Sequence, residues 1–271
     1  MTKTDLWLLV AGAIAASINA AAGGGTLLSF PALLAAGLTP LAANVTSTVG
    51  LLPGSLASVW AYRKELWALK AEGVLILIPA LLGGAVGAWA LLQLGNGVFV
   101  RIVPLLLLFA AGVLAAQPWL QKLVQRRAAP ASGAPGRSAG SAVVTGTTAG
   151  LAPAIAVVLF ISVYAGYFGA GAGILFLGAM GLILSRPLGE LNALKVLSAL
   201  AANSVGAATF VLLEWRHPTG ALSLRSALPL AAGAIAGGYG GVHLARKLPA
   251  WALRGFASCV GLAIALWLAV R

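Results

Sequence analysis

Hydrophobic residues in this 271-residue chain fall into ten apolar stretches, separated by short polar or glycine-containing segments. The hydrocarbon core of a bilayer, about 30 Å thick, requires about 20 helical residues. The stretches are 6–22, 26–38, 41–62, 73–94, 98–120, 141–166, 173–185, 191–213, 227–245 and 250–270. Eight of them approach the required length, whereas 26–38 and 173–185 are too short to span unaided. The pattern predicts an all-helical membrane protein with about eight transmembrane helices and two short broken or re-entrant segments.

The ten stretches form two sets of five with the same order of long and short segments, which indicates an internal duplication. An offset of 148 residues aligns Gly23 with Gly171, Gly25 with Gly173, Leu27 with Leu175, Asn44 with Asn192, Leu52 with Leu200 and Trp67 with Trp215. An offset of 150 aligns Pro79, Gly83 and Gly87 with Pro229, Gly233 and Gly237. We therefore predict a first transmembrane repeat at 1–120, a flexible basic cytoplasmic linker at 121–140, and a second repeat at 141–271.

Composition and charge agree with a membrane location. The chain is 61% hydrophobic and 8% charged, whereas about a quarter of the residues in a soluble domain are charged. The net charge of +12 is best explained by basic residues in cytoplasmic loops. A field that attracts anions is compatible with the same count, and nucleic-acid binding is not needed to explain it.

The basic residues also bear on orientation. With eight spans, eleven Lys and Arg residues lie on the side of both termini and five on the other, which places the termini in the cytoplasm. Ten full spans give inverted repeats and external termini with the same eleven-to-five bias. The number of basic residues on each side therefore does not distinguish the two arrangements. The shortness of 26–38 and 173–185 favours eight spans.

A glycine run inside apolar sequence is the first candidate binding feature. Gly23, Gly24 and Gly25 precede one short segment, and Gly171 and Gly173 precede the other. A helix that begins after such a run would direct free N–H groups and the positive end of its dipole at an anion, and the Thr26 hydroxyl could add a donor. Close helix packing is the alternative explanation for membrane glycines.

The second feature is a polar cluster after Pro40 that contains Asn44, Thr46 and Ser47, with Asn192 at the equivalent place in the second repeat. Such residues favour helix N-caps. Because the hydroxyl residues continue past the cap position into the body of the helix, we expect a binding site here as well. The recurrence of asparagine at Asn44 and Asn192 fits both explanations.

Lys195 is the sharpest single candidate, because it lies inside the apolar stretch 191–213 and an ionisable residue within a span is costly to bury. It could attract an anion or act as a titrating counter-charge. The alternative is that it lies one turn into the membrane and extends to the interface. All five acidic residues lie at segment ends, which argues against a cation pump and favours an anionic substrate.

Other chemistry is not indicated. A single cysteine, Cys259, and two distant histidines, His217 and His243, make a metal site improbable. The sequence has no phosphate-binding loop and no serine–histidine–acid arrangement. We therefore predict no enzyme activity and no cofactor. The expected partners are the lipid bilayer and a small anion, not nucleic acid, and a homodimer is left open.

The run Asn19-Ala-Ala-Ala-Gly-Gly-Gly-Thr-Leu-Leu-Ser-Phe-Pro-Ala-Leu-Leu34, followed by Gly37-Leu-Thr-Pro40 and Ala43-Asn-Val-Thr-Ser47, resembles the first half of the sulfite exporter TauE/SafE family, formerly DUF81, of the toluene sulfonate uptake permease group. The resemblance implies a bacterial inner-membrane transporter, usually an exporter, of sulfite or organosulfonates. It places the site at Gly23, Gly24, Gly25, Asn44, Thr46 and Ser47, with Gly171, Gly173 and Asn192 in the second half. That half departs from the pattern, because alanine alternates with its glycines at Ala170 and Ala172.

The sequence thus predicts a transporter in which a small sulfur anion binds between two repeats and alternating access follows from their relative motion. An anion channel, a carrier of another small anion such as a carboxylate, and a non-transporting membrane scaffold remain as alternatives. The exact anion, the direction of transport and the coupling ion are left open.

Overall fold

A computed structural model describes residues 2–128, 151–184 and 186–245, and the regular structure in these ranges is entirely helical. The all-helical prediction is confirmed for this part of the chain. The helices are α1 (Lys3–Ala21), α2 (Thr26–Ala35), α3 (Pro40–Ala61), α4 (Arg63–Ala68), α5 (Lys70–Ala128), α6 (Leu151–Tyr167), α7 (Ala172–Leu184), α8 (Leu188–Arg216) and α9 (Leu224–Ala245). The final apolar stretch, 250–270, and most of the predicted linker lie outside the described residues.

Three of the described helices are long and apolar enough to cross a membrane by length and composition: Lys3–Ala21, Lys70–Leu123 and Leu188–Arg216. The helices that follow the glycine runs are short and apolar, as the sequence predicts: α2 begins at Thr26, directly after Gly25, whereas α7 begins at Ala172, one residue before the last glycine of the second run, Gly173. α5 continues to Ala128, so the first part of the segment predicted as a linker is helical.

Local sequence explains where the first helices begin. Thr2 and Asp5 form a reciprocal capping box, in which the Asp5 N–H donates to the Thr2 hydroxyl and the Thr2 N–H donates to the Asp5 carboxylate. Thr39 caps α3 through the N–H of Ala42, and Pro40 occupies the first helical position, where its missing N–H is not needed.

α5 is two helices joined at a glycine. Its 59 residues would extend roughly 90 Å as one straight helix, about three times the thickness of the hydrocarbon core. Gly95 interrupts it with φ 63° and ψ −178°, a conformation that residues with a side chain avoid. We call residues 70–94 the first arm and 96–128 the second arm. At the break, the Asn96 side chain accepts from the N–H of Leu41 at the start of α3.

Glycines on α9 set its direction against α1. A Cβ atom at Gly233 would collide with the carbonyl of Leu9, and one at Gly237 with that of Ala13. Because both positions advance together along the two helices, α1 and α9 run parallel with their backbones in contact. α3 also runs parallel to α9, since Gly50 approaches Leu230 and Gly54 approaches Ala234.

The same construction joins the first arm of α5 to α6. Gly83 meets the carbonyl of Leu159, and Gly87 meets that of Val163, so these helices are parallel too. The first arm is also parallel to α8, because Gly73 lies near Leu197, Gly84 meets Ala202 and Gly206 lies near Ala88.

The two parallel groups run in opposite directions. The end of α3 at Tyr62 packs in one cluster with Ala193 and Val196 near the start of α8, whereas Thr48 near the start of α3 lies beside Gly206 further along α8. α3 and α8 are therefore antiparallel. Since α1 and α3 run the same way, the short helix α2 and its flanking residues must carry the chain back between them.

Candidate functional site

A polar cavity of about 40 Å³ lies between α3 and α8, against the ends of α1 and α6 and the starts of α2 and α7. A water molecule needs about 10–15 Å³ by this measure, so the cavity has room for a few waters or one small ion. Its lining combines one lysine with hydroxyl and amide side chains and contains no acid. The residues are Asn19, Ala20, Thr26, Ser47, Thr48, Leu51, Ser55, Ser58, Ala165, Phe168, Gly169, Ala172, Gly173, Lys195, Val196, Ala199 and Asn203.

Lys195 lies on α8 with its side chain directed inward, and 2% of the residue is exposed. The Nζ atom donates to the carbonyl oxygen of Ala20 and to Oδ1 of Asn192, both at 2.9 Å. Ala20 belongs to the last turn of α1, where free carbonyls and the negative end of the helix dipole favour a cation. The alternative that Lys195 extends to the membrane interface therefore does not describe this side chain.

Gly173 makes room for the lysine. A Cβ atom at Gly173 would lie 3.1 Å from Cδ of Lys195 and 2.6 Å from Cα of Gly23. The two glycine runs, far apart in sequence, thus touch each other beside the lysine stem. A side chain at either position would separate α1 from α7 or displace Lys195.

Two helix N-termini face the cavity. Thr26 is the first residue of α2, Ala172 is the first residue of α7, and both line the space together with Gly173. The positive end of each helix dipole therefore adds to the charge of Lys195. The C-terminal ends of α1 and α6 offset part of this positive potential. No acid occurs among the described lining residues, so it is the full charge of Lys195, when protonated, that makes the cavity suit an anion.

The polar side chains predicted on α3 divide between the cavity and the scaffold. Ser47 lines the cavity, and its hydroxyl lies 2.6 Å from that of Ser29 on α2. Thr46 lies outside the lining and accepts from the N–H of Ser223 at the entry to α9.

Asn44 and Asn192 both hold helix ends. The Asn44 amide donates to the carbonyl of Tyr167, the last residue of α6, at 2.9 Å. Asn192 accepts from Lys195, which in turn bonds the last turn of α1. Neither asparagine lines the cavity: Asn44 acts on the site through the end of α6, and Asn192 acts on it through the position of Lys195.

Among the predicted glycines, Gly173 alone lines the cavity. Gly25 packs directly on the carbonyl of Ala15, Gly24 lies near Leu114, and Gly171 lies near Ala110. Gly23 and Gly171 also have positive φ angles of 87° and 78°, which a residue without a side chain adopts at no steric cost. Close packing and backbone conformation explain most of these glycines, and their contribution to the cavity is to place the two helix N-termini.

Several lining residues did not enter the sequence prediction: Asn19, Thr48, Ser55, Ser58, Phe168, Gly169 and Asn203. A signal for some of them was present. On α3 the polar positions 47, 48, 55 and 58 share one helical face, and on α8 positions 195, 199 and 203 recur every four residues. Following that face beyond the first polar cluster would have identified Ser55 and Asn203.

A second polar feature lies outside the cavity. Arg186 pairs with Glu72 at the start of the first arm and with Glu190 on α8. The guanidinium therefore ties the entry to α8 to the beginning of α5. No group of histidine, cysteine or acidic residues that could hold a metal occurs in residues 2–128, 151–184 and 186–245.

Comparison with known proteins agrees with the apolar helices. A model of the family described as "Sulfite exporter TauE/SafE" matches residues 8–268. A "probable membrane transporter protein" of Haemophilus influenzae is 35% identical over 102 residues, which cover 37% of this chain and 40% of that relative. No solved structure matches significantly. Since the family match extends over nearly the whole chain, the chain belongs to the sulfite exporter TauE/SafE family.

Proposed function

We propose that this protein is a membrane transporter that carries small sulfur-containing oxyanions, such as sulfite or organosulfonates, through the cavity between α3 and α8. The observation that carries the proposal is the lining: one buried cation, two helix N-termini and several hydroxyl and amide donors, without an acid. The proposal that the substrate contains sulfur is supported by the family description, which names sulfite. The same description supports export as the direction of transport, and we propose the inner membrane of a bacterial cell as its location.

The size of the cavity supports the smaller members of this substrate class. A volume of about 40 Å³ accommodates a few waters, and a sulfite-sized ion can replace them. An organosulfonate would require the lining to move apart. Its sulfonate group could still occupy the position beside Lys195, because the hydroxyl and amide groups of the lining would donate to the sulfonate oxygens whatever the rest of the substrate is.

Two homologous halves, with alternating access between them, are the second part of the proposal. Support comes from contacts that recur with the offset seen in the sequence. Gly233 meets Leu9 as Gly83 meets Leu159, and each residue of the second pair lies 150 positions from its counterpart. The contact of Gly237 with Ala13 repeats as that of Gly87 with Val163. Thus α9 of the second half packs on α1 of the first half, and the first arm of α5 packs on α6 of the second half.

The directions of the helices favour inverted repeats. α3 and α8 occupy equivalent places in the two halves and run antiparallel, which requires an odd number of crossings per half. We therefore favour the arrangement with ten segments over the one with eight, with α2 and α7 returning the chain as short helices. The termini then lie outside the cytoplasm, and the side with eleven basic residues, including the linker, faces the cytoplasm.

The proposal is tested with purified protein in liposomes, by measuring radiolabelled sulfite uptake for the wild type, Lys195→Ala and the matched control Lys122→Ala. Lys122 is exposed on α5, so its loss should leave uptake unchanged. Loss of a hydrogen bond to a charged group costs about 1.5–3 kcal/mol, so Lys195→Ala should lower uptake roughly tenfold to a hundredfold.

Other outcomes separate the alternatives. Saturation and counter-flow of labelled sulfite support a carrier, whereas flux without either supports an anion channel. Equal sulfite uptake by Lys195→Ala and the wild type would remove Lys195 from the site. Absence of uptake of sulfite, sulfonates and carboxylates by the wild type would support a scaffold role instead.

A further inference from the structure

The hydrogen-bond partners of Lys195 match a neutral amine. A neutral amine has two N–H groups and an ammonium has three. The protein supplies two acceptors at hydrogen-bond distance, the Ala20 carbonyl and Asn192 Oδ1, and no third acceptor for Nζ occurs among the described residues. The third N–H, gained with a proton, is left for whatever occupies the cavity, which Lys195 lines.

The surroundings of Lys195 offer no fixed counter-charge. Its side chain contacts Ala20 of α1, Asn192 of α8 and Gly173 of α7, and among residues 2–128, 151–184 and 186–245 no other titratable side chain lines the cavity. Glu72 and Glu190 are engaged with Arg186. The remaining titratable or charged groups of the helices around α8 also lie outside the lining: Lys3, Asp5, Tyr62, Arg63, Lys64, Glu65, Lys70, Arg101, Lys122, Tyr164, Tyr167, Glu214, Arg216, Arg225, Tyr239 and His243.

A permanent ammonium in this place would have two neutral acceptors and the negative end of the α1 dipole, but no ionic partner and no acceptor for its third N–H whenever the cavity is empty, which is unfavourable within a membrane. An anion in the cavity makes the ammonium more favourable than the neutral amine, because the anion accepts a hydrogen bond from the third N–H and neutralises the charge. A neutral amine beside a bound anion would in turn leave the anion without its strongest donor. The two favourable states are therefore amine with empty cavity and ammonium with anion.

We propose that Lys195 takes up a proton as an anion enters the cavity, so that anion and proton cross the membrane together. The lone pair of Nζ forms the new N–H bond with a proton from water on the side of entry, and the proton returns to water when the anion leaves on the other side. This inference rests on the proposed function and adds its coupling ion.

The first experiment counts protons on binding. Purified full-length protein in detergent and weak buffer is mixed with sulfate or methanesulfonate, and a pH indicator records proton uptake between pH 6 and 9. These anions do not titrate near neutral pH, whereas sulfite does and would obscure the count. We expect about one proton taken up per anion bound in part of this range.

Two variants test whether Lys195 is the group that takes up the proton. Lys195→Arg keeps a permanent charge and should bind anion without proton uptake, whereas Lys195→Met should lose anion binding. If the larger guanidinium prevents folding, calorimetric titration of the wild type in buffers of different ionisation enthalpy still gives the proton count. Anion binding without proton uptake at every pH would overturn the inference and leave the proposed function standing. Absence of binding of sulfate, methanesulfonate and sulfite would overturn both.

Transport gives a second readout. Liposomes that contain the wild type and an internal pH dye, exposed to an inward methanesulfonate gradient, should acidify inside, and Lys195→Arg liposomes should not. Methanesulfonate uptake without acidification would also overturn the inference.

Discussion

Four glycines in this protein allow two physical effects of an added side chain to be measured separately: strain at a positive φ angle and collision with a close neighbour. Their alanine variants form a matched set. Gly23 has both a positive φ angle and a close backbone neighbour, Gly173. Gly173 has the close contact without the positive φ. Gly37 has a φ of 92° and open space around it, whereas Gly24 has neither constraint and lies 3.5 Å from a flexible leucine side chain.

The magnitudes follow from the two effects. A non-glycine residue in the left-handed region costs about 1–2 kcal/mol, and an extra methyl group forced into a packed contact costs about 1–3 kcal/mol. Gly23→Ala should therefore lower stability by roughly 2–5 kcal/mol, Gly173→Ala by about 1–3 and Gly37→Ala by about 1–2. Gly24→Ala should be close to neutral, since it removes freedom from the unfolded chain without strain.

The assay is thermal unfolding of each purified variant in the same detergent, followed by intrinsic tryptophan fluorescence. For chains of 150–250 residues, 1 kcal/mol shifts the melting temperature by about 2–4 °C. Gly37→Ala should thus lower it by about 2–8 °C, and Gly23→Ala by about the sum of the Gly37→Ala and Gly173→Ala shifts. The Gly23→Ala/Gly173→Ala double variant should deviate from additivity, because both added methyl groups enter one contact.

Equal melting temperatures for Gly23→Ala and Gly24→Ala would refute the reasoning, since they would mean that the two glycine runs do not meet. A large loss for Gly24→Ala alone would assign the run to another contact. Normal melting combined with lost sulfite binding in Gly24→Ala would instead support a direct binding role for that glycine.

Two further predictions concern side chains. Asn203→Leu replaces a cavity amide with an apolar side chain of similar size, so the affinity for sulfite, measured by calorimetry, should fall by about tenfold. The control Thr209→Val on the same helix should bind sulfite normally. Unchanged affinity in Asn203→Leu would exclude Asn203 from the site. Arg186→Gln leaves Glu72 and Glu190 facing each other without their cation, so the variant should melt several degrees below wild type at low salt and approach it at high salt, which screens the repulsion. A salt-independent difference would show that the arginine acts through packing.

Much of the local structure follows from the sequence alone. The short helices after Gly25 and Gly171 were predictable, because glycine ends a helix readily and the following apolar run is too short to span. Lys195 was identifiable as a functional candidate, because an ionisable residue inside an apolar stretch needs an explanation. Each inference uses only neighbouring residues, which is why it needs no tertiary information.

The directions that side chains face were harder to predict. Asn44 looked like a ligand for an anion, but its amide supports the end of α6, a helix that begins more than 100 residues later. Thr46 similarly accepts from Ser223. The partners of these polar groups are backbone atoms more than 100 residues away in the sequence, brought close by tertiary packing. Periodicity within one segment does not predict which distant backbone atoms will lie nearby.

The second half, where alanine alternates with glycine at Ala170 and Ala172, looks from the sequence like mainly a scaffold apart from Lys195. Its placement argues otherwise. Ser47 and Lys195 stand at equivalent positions, 148 residues apart, as do Ser55 and Asn203, and all four line the cavity. At these four positions the first half supplies small hydroxyls and the second supplies an amine and an amide, while Asn19 adds a further amide from α1. Four equal donors around a two-fold axis would offer an anion no preferred orientation, whereas this division places the cation on one side. On the proposal that the two halves are homologous and that the cavity binds an anion, divergence at these positions explains how a symmetric scaffold would hold the anion in one defined position.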